Sequence, residues 1–121
     1  MHKRLAFLML AVCACFLVLG AATAGTVSIA DLLNHASAYD GSHVVVAGSV
    51  ASVRPKTSRA GNQYETFDLC DTNGNCVRVF TWGQPALREG DKITVKGTFS
   101  AAKHVGGYAF RNEIEADEGS L

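Results

Sequence analysis

The chain has 121 residues, of which eleven are basic, eleven are acidic and 48% are hydrophobic. This length suits one domain with a modest core, and the balanced charge excludes blanket electrostatic attraction to DNA or RNA as the mode of action. Without the first 24 residues, which include two basic ones, nine basic residues stand against eleven acidic ones, a net charge of −2.

The first 24 residues have the pattern of an export signal. A basic start at His2-Lys3-Arg4 is followed by an apolar run of 15 residues from Leu5 to Leu19 and by the small-residue cleavage pattern Ala22-Thr23-Ala24. A retained membrane anchor is the alternative, but the run is shorter than the roughly 20 residues that cross a bilayer. We therefore predict a cleavable signal peptide over residues 1–24 and a single domain over 25–121. The domain is expected to be periplasmic or secreted, without a stable membrane anchor.

One short amphipathic helix is predicted at the start of the domain. Ser28-Ile29-Ala30-Asp31 resembles a capping box, and apolar residues follow it at spacings of three and four. The helix is expected to end near Tyr39-Asp40-Gly41, because glycine readily takes the left-handed conformation that ends helices. We expect its apolar stripe to cover the end of a sheet.

Five strands are predicted to follow the helix. The first, Val44 to Val53, has Gly48 in the middle, as expected of a strand bent so sharply that a side chain at the bend would clash. Polar segments separate the strands. The other strands are predicted over 63–70, 76–82, 92–97 and 108–116, with loops over 54–62 and 100–107 and a turn or single helical turn over 84–90.

The second and third strands are predicted to form a hairpin about Asn73-Gly74. Because the residue numbers of antiparallel partners sum to a constant, pairing of the two cysteines beside the turn fixes the rest of the register. The pairs are then Cys70 with Cys76, Asp68 with Arg78, Thr66 with Phe80 and Tyr64 with Trp82. The opposite face is predicted to be the core and carries Phe67, Leu69, Val77 and Val79.

Cys70 and Cys76 are predicted to form a structural disulfide. Cys13 and Cys15 lie in the leader, so these two cysteines remain after export, which permits them to pair. A bond across the five-residue connection would stabilise the hairpin by roughly 2 kcal/mol. A redox-active pair is the alternative, but thiol oxidoreductases place their cysteines two residues apart at a helix start.

Neither a metal site nor a catalytic site is predicted, and no cofactor is expected. His35, His43 and His104 are scattered along the chain and show no metal-ligand spacing with the cysteines. Carboxylates, serines and histidines are dispersed without identifiable partners, which argues against an enzyme.

The strand pattern and two motifs carry a family resemblance. A glycine lies in the middle of the first and fourth strands, Leu87-Arg88-Glu89-Gly90-Asp91 leads into the fourth, and the last strand ends as Phe110-Arg111-Asn112-Glu113-Ile114-Glu115-Ala116. Over residues 28–116 the chain resembles small exported bacterial proteins with the oligonucleotide/oligosaccharide-binding (OB) fold, of the anticodon-binding-like kind. The resemblance implies an all-β domain with one short N-terminal helix, built as a five-stranded Greek-key barrel. It also implies a ligand face on the second and third strands, flanked by the loops after strands one and four.

On that architecture, Tyr64, Phe80 and Trp82 fall on the outer face of the second and third strands, where planar groups could stack. Alternatively, these rings cover the surface or pack against the helix or a protein partner. The flanking loops add a positive rim that suits an anionic ligand, although polar loops also carry such residues to stay solvated. The rim residues are Arg54, Lys56, Arg59, Lys103 and His104.

A second resemblance concerns Ala102-Lys103-His104, with Tyr108 four residues after the histidine. This segment is similar to the haem-attachment motif of the periplasmic haem chaperone of cytochrome c maturation, itself an OB-fold barrel. By that analogy His104 would hold haem and Tyr108 would support it. However, that family keeps its N-terminal membrane anchor and carries the motif beyond its last strand, whereas Val105-Gly106-Gly107 predicts a hairpin loop here.

The sequence therefore predicts an exported, non-enzymatic binding module with an unknown ligand on its second and third strands. The family resemblance implies single-stranded nucleic acid or an oligosaccharide, and the export signal argues against a cytoplasmic nucleic-acid role. The alternative is an assembly factor of the cell envelope, in which the same face contacts a protein partner or the chain carries haem.

Overall fold

The structure, a computed structural model, describes residues 26–121. Two short helices are followed by five strands, which join in the order β1-β2-β3-β5-β4 into one sheet that closes into a ring. The elements are α1 (Ile29–Asn34), α2 (Ala36–Tyr39), β1 (His43–Thr57), β2 (Gln63–Cys70), β3 (Cys76–Trp82), β4 (Lys92–Val105) and β5 (Tyr108–Ala116). The predicted signal peptide, with Cys13 and Cys15, lies outside the described residues. Within 26–121, no helix has the length and apolar character needed to span a bilayer.

The single predicted helix is divided into two. It starts as expected, since the Ser28 Oγ accepts a hydrogen bond from the Asp31 backbone N–H at 3.1 Å. At His35 the backbone leaves helical geometry, with φ −125° and ψ 36°, which ends α1 and begins α2. The chain then turns at Gly41, whose φ of 77° is the left-handed conformation predicted there. The apolar stripe of α1 is buried in the core.

β1 serves two neighbouring strands and changes from one to the other beside Gly48. Its first half, from His43 to Ser49, pairs with β4, and its second half, from Ser49 to Thr57, pairs with β2. A Cβ atom at Gly48 would lie 2.9 Å from both the Cys70 carbonyl oxygen and the Leu69 Cγ. The predicted clash at Gly48 is confirmed.

The loop predicted over 54–62 is wrong in its first part, because β1 continues to Thr57. Arg54 pairs with Thr66, beyond a bulge that follows Ala51, and the ladder runs on through Pro55. Past Ser49 this strand has only β2 beside it, and proline is tolerated in such a one-sided strand. The loop itself is confined to residues 58–62.

β4 is also longer than predicted. The loop predicted over 100–107 is wrong for residues 100–105, where Ala102, Lys103 and His104 pair with β5. Gly106 and Gly107, with φ of 51° and 89°, form a two-residue turn of the kind that closes tight hairpins. Of the two alternatives predicted for residues 84–90, the structure has the turn, at Glu89-Gly90, preceded by an irregular connection.

The β2–β3 hairpin has the predicted register, from Cys70 opposite Cys76 to Tyr64 opposite Trp82. In the turn, the Asp71 carboxylate accepts hydrogen bonds from the backbone N–H groups of Asn73 and Asn75, each at 2.9 Å. The Asn75 side-chain amide also donates to this carboxylate, and that bond is the main cause that lowers the pKa of Asp71. The two cysteines form the predicted disulfide, with Cα atoms 4.1 Å apart.

The core lies inside the ring of strands. The four residues predicted to be core, Phe67, Leu69, Val77 and Val79, are all buried. They belong to one cluster with residues from the helix and the other strands, which are Ile29, Leu32, Val44, Val46, Val50, Val95, Phe99, Ile114 and Ala116. The side chains on the opposite face of β2 and β3 are therefore left to form the outer surface.

We predict that Gly48→Ala lowers the free energy of unfolding by about 1–3 kcal/mol, because the added methyl group would overlap backbone atoms as well as a core side chain. Urea unfolding followed by tryptophan fluorescence measures the loss. Thr94→Ala, at an exposed position on the neighbouring strand, is the matched control and should change stability by about 0.5 kcal/mol or less. A loss for Gly48→Ala that does not exceed the control would contradict the predicted packing.

The disulfide generates a second prediction. The double substitution Cys70→Ser and Cys76→Ser should lower the free energy of unfolding by about 2 kcal/mol, because the unfolded hairpin is no longer constrained. Wild-type protein treated with dithiothreitol should lose a similar amount. In the unreduced protein, thiol labelling mapped by mass spectrometry should modify neither cysteine, and labelling of either one would show that the bridge is not formed.

Candidate ligand-binding cleft

Three aromatic side chains cluster on the outer face of β2 and β3. The register sets Tyr64 opposite Trp82, with Phe80 in the next outward-facing pair. The ring centroids lie 5.2 Å apart for Tyr64 and Phe80, 5.0 Å for Phe80 and Trp82, and 6.0 Å for Tyr64 and Trp82. The first two rings stack and the indole meets both at steep angles. The structure therefore brings together the three rings that the sequence singled out.

The β4–β5 hairpin and these rings together line a cleft of about 330 Å³. The β4 arm of the hairpin contributes Lys103 and Val105, and its β5 arm contributes Phe110, the direct strand partner of Lys103. Lys56, near the end of β1, lines the cleft at another edge. A mainly apolar and aromatic lining with a few polar groups is typical of sites for small molecules.

Lys103 holds a central position in the cleft. Its Nζ atom lies 5.6 Å from the centroid of the Phe80 ring and 3.7 Å from the Oε1 atom of Glu113. The first distance is within the range of a cation–π interaction. The second is longer than the roughly 2.7–2.9 Å of a charge-assisted hydrogen bond. The ammonium group is thus held by two weak contacts and retains the capacity to donate to a ligand.

Glu113 is the buried acid of the cleft, with 6% of its surface exposed. Burial raises the pKa of its carboxyl, since the charged form loses hydration. The positive charges of Lys103 and Arg78 oppose this rise in pKa and the negative charge of Glu115 adds to it. Arg78 is the residue that pairs with Glu113 where β3 and β5 run parallel.

Of the five predicted rim residues, Lys56 and Lys103 line the cleft. Arg54 instead joins β1 to β2, because its Nε atom donates to the Thr66 Oγ1 at 3.2 Å and its guanidinium lies 3.3 Å from the Asp68 Oδ1. Arg59 is exposed in the loop over residues 58–62 and does not line the cleft.

His104, the remaining rim residue, does not line the cleft either. It pairs with Ala109, whereas Tyr108 pairs with the neighbouring Val105. Because successive residues of a strand face opposite sides, His104 and Tyr108 lie on opposite faces of the hairpin. The structure does not bring together the two residues of the haem analogy.

Several lining residues were missed by the sequence analysis. Val105, Phe110 and Glu113 line the cleft because β4 and β5 extend as a long hairpin. The predicted register placed Arg78 on the outer face, and it lies in the lining of the cleft. The register did not indicate that the β4–β5 hairpin would share this lining. One signal for the hairpin was available in the sequence. Lys103 and Val105 lie two residues apart, as expected of side chains on one face of a strand.

Comparisons with known proteins add no assignment. Neither the protein-family models nor the curated proteins include a match to this chain. Within residues 26–121, no group of three or more histidine, cysteine, aspartate or glutamate side chains is arranged to hold a metal ion. The side chains that line the cleft are therefore the basis for any functional assignment.

Glu65 lies directly behind the cleft, between Tyr64 and Thr66 on β2. Its side chain belongs to the inward row, opposite Thr81, and is 3% exposed. In the described part of the chain, its Oε2 atom is the one buried side-chain oxygen or nitrogen without a hydrogen-bond partner. Burial raises the pKa of this carboxyl, because no partner replaces the water lost by the charged form.

We predict that Glu65→Gln raises the free energy of unfolding at about pH 7 and changes it little at about pH 4. In the folded protein the pKa of Glu65 lies above its ordinary value of 4.5. The contribution of the neutral carboxyl to the free energy of unfolding is therefore fully present below pH 4.5. This contribution is lost as the pH rises through the pKa of the folded state. The neutral amide carries no charge to bury at either pH.

Urea unfolding at both pH values measures this effect. Glu118→Gln, at an exposed position in the tail, is the control and should follow the wild-type pH dependence. A gain for Glu65→Gln that is the same at both pH values would show that ionisation of Glu65 is not its cause.

Proposed function

We propose that the chain is an exported binding module of the OB-fold kind, with its ligand in the cleft between the β2–β3 face and the β4–β5 hairpin. The strand order supports the fold assignment, since all neighbouring strands are antiparallel except β3 and β5. The close approach of β2 to Gly48, where β1 changes its partner strand, also supports it. In OB folds, the face of strands two and three and the loops after strands one and four hold the ligand. The cleft lies on the corresponding elements.

The observation that carries the proposal is the aromatic cluster of Tyr64, Phe80 and Trp82. The Trp82 side chain remains 45% exposed although the core of this small domain is built from other apolar residues. Stacking of a planar group on such a ring contributes about 1–3 kcal/mol. A ligand would cover apolar surface that the folded chain leaves in contact with water.

A non-enzymatic role is part of the proposal. The side chains that line the cleft include neither histidine nor cysteine, and its charged groups are lysine, arginine and glutamate. The support for a binding role is therefore the absence of these two residue types among the lining side chains, and the presence there of partly exposed aromatic rings. The Cys70–Cys76 disulfide is compatible with an oxidising compartment, which supports an exported location.

A second candidate function is that of an assembly factor of the cell envelope. Val105 and Tyr108, beside the turn of the β4–β5 hairpin, are 51% and 69% exposed. Together with Trp82 they are the large apolar side chains most exposed among residues 26–121. Exposed apolar groups of this kind also serve protein interfaces, and Tyr108 is outside the lining of the cleft.

We predict that a ligand in the cleft changes the fluorescence of Trp82, the sole tryptophan of the chain. The purified, disulfide-bonded protein is titrated with single-stranded oligonucleotide, oligosaccharide and haem. Phe80→Ala should weaken binding of whichever ligand responds by about tenfold, because a stacking surface is removed.

Tyr108→Ala is the matched control, since it removes an exposed ring of the hairpin that does not line the cleft. It should leave the affinity unchanged. A ligand whose affinity falls with Tyr108→Ala and not with Phe80→Ala would favour the interface function. No response of Trp82 to any of the three ligands would count against binding of these classes in the cleft.

A further inference from the structure

We infer that the cleft takes one compact ligand with a flat, apolar body and a single anionic head, and that Lys103 binds the head. The inference rests on the proposed function, because it assigns a ligand class to the same cleft. It is carried by the shape of the cleft, the nature of its walls and the arrangement of its charges.

The shape of the cleft favours a compact ligand. Its volume of about 330 Å³ lies at the lower end of the roughly 300–1,000 Å³ found for small-molecule sites. The rings of β2 and β3 line it together with Val105 and Phe110 of the hairpin. A flat body suits this lining, since a planar group stacks on an exposed aromatic ring and removes apolar surface of both from water.

The charges of the lining favour an anion. Lys56, Arg78 and Lys103 stand against Glu113 and Glu115. Glu113 is buried beside Lys103, whereas among residues 26–121 neither Lys56 nor Arg78 has a carboxylate oxygen within 4 Å. Lys56 and Arg78 are therefore two unpaired cations, and Glu115 is the one exposed acid of the lining. The lining has positive charge left for a ligand to neutralise.

The position of Lys103 identifies the group that meets the head. Its ammonium lies over Phe80, the middle ring of the cluster, and is held only by the 5.6 Å contact with that ring and the 3.7 Å contact with Glu113. An ammonium has three donors, so it can serve a ligand while it stays near Glu113. A cationic head is disfavoured, because the chain's own lysine already occupies the cation–π position.

Two dyes that differ only in the head group test the inference. 8-Anilino-1-naphthalenesulfonate (ANS) has a flat naphthalene ring, an anilino ring and one sulfonate, and N-phenyl-1-naphthylamine (NPN) is the same molecule without the sulfonate. Energy transfer from Trp82, the sole tryptophan, reports dye bound to the domain, and the variants of Lys103 assign that dye to the cleft. We expect ANS to bind at least about tenfold tighter than NPN, as one charge-assisted hydrogen bond would give.

Variants of Lys103 assign the difference to this side chain. Lys103→Met combined with Glu113→Gln removes the ammonium without leaving a buried carboxylate unpaired and without changing the net charge of the lining. It should lower the ratio of ANS affinity to NPN affinity by about tenfold, because the charge-assisted hydrogen bond is lost. Affinity for NPN should change by less than about twofold. Lys96→Met, at an exposed position on the same strand outside the cleft, is the control and should leave both affinities unchanged.

The inference would be overturned if NPN bound as tightly as ANS, if the Lys103 variant weakened both dyes equally, or if 1-naphthylmethylammonium bound tighter than ANS. In these cases a ligand still enters the cleft, and the proposed function stands. If neither dye accepted energy from Trp82, the inference would be overturned as well, whereas the proposed function would be contradicted only if Trp82 also failed to respond to the three ligands of the titration described above.

Discussion

The structure depends on the register of the β2–β3 hairpin. The side chains of a strand alternate between its two faces, so a slip of one residue would exchange the core row of Phe67, Leu69, Val77 and Val79 with the outer row. Two features prevent such a slip. The Asp71 carboxylate holds the turn through three hydrogen bonds, and the disulfide joins the first outward-facing pair. The same register that fills the core therefore assembles the aromatic cluster outside it.

On the proposed function, the pair formed by Lys103 and Glu113 serves binding more than stability. Placing a carboxylate in a buried position costs hydration, and a lysine at 3.7 Å restores only part of that free energy. Apolar residues at these two positions would satisfy the requirements of packing at least as well. What the pair supplies is an ammonium group fixed over the face of Phe80.

The sequence was informative where local chemistry determines the structure. Asn73-Gly74 and the flanking cysteines were sufficient to predict the hairpin, its register and its core row, and Gly48 marked the place where β1 changes its partner strand. It was less informative about the length of strands. Pro55 and the small, polar residues from Ser100 to His104 are typical of loops, yet pairing with neighbouring strands overrides that local tendency.

The cleft was predicted only in part for the same reason. One wall follows from alternation along two adjacent strands, which a sequence displays directly. The rest of the lining comes from the β4–β5 hairpin. Its position beside β3 depends on contacts between residues that are distant in the sequence, which local patterns do not display. Arg54 was placed in a loop rim by composition, whereas its bonds to Thr66 and Asp68 exist because β1 continues alongside β2.

The parallel junction of β3 and β5 has a consequence for the dynamics of the domain. It is the shortest junction of the ring, joining Arg78, Val79 and Phe80 to Glu113, Ile114 and Glu115. Its middle pair, Val79 and Ile114, is fully buried, so the outward-facing pairs on either side of it are the ones that can separate without exposing the core. Because Phe80 and Glu113 belong to this junction and also line the cleft, a transient separation of the two strands would widen the cleft. On the proposed function, such local opening would be a route for the ligand, while the disulfide-linked end of the hairpin stays closed.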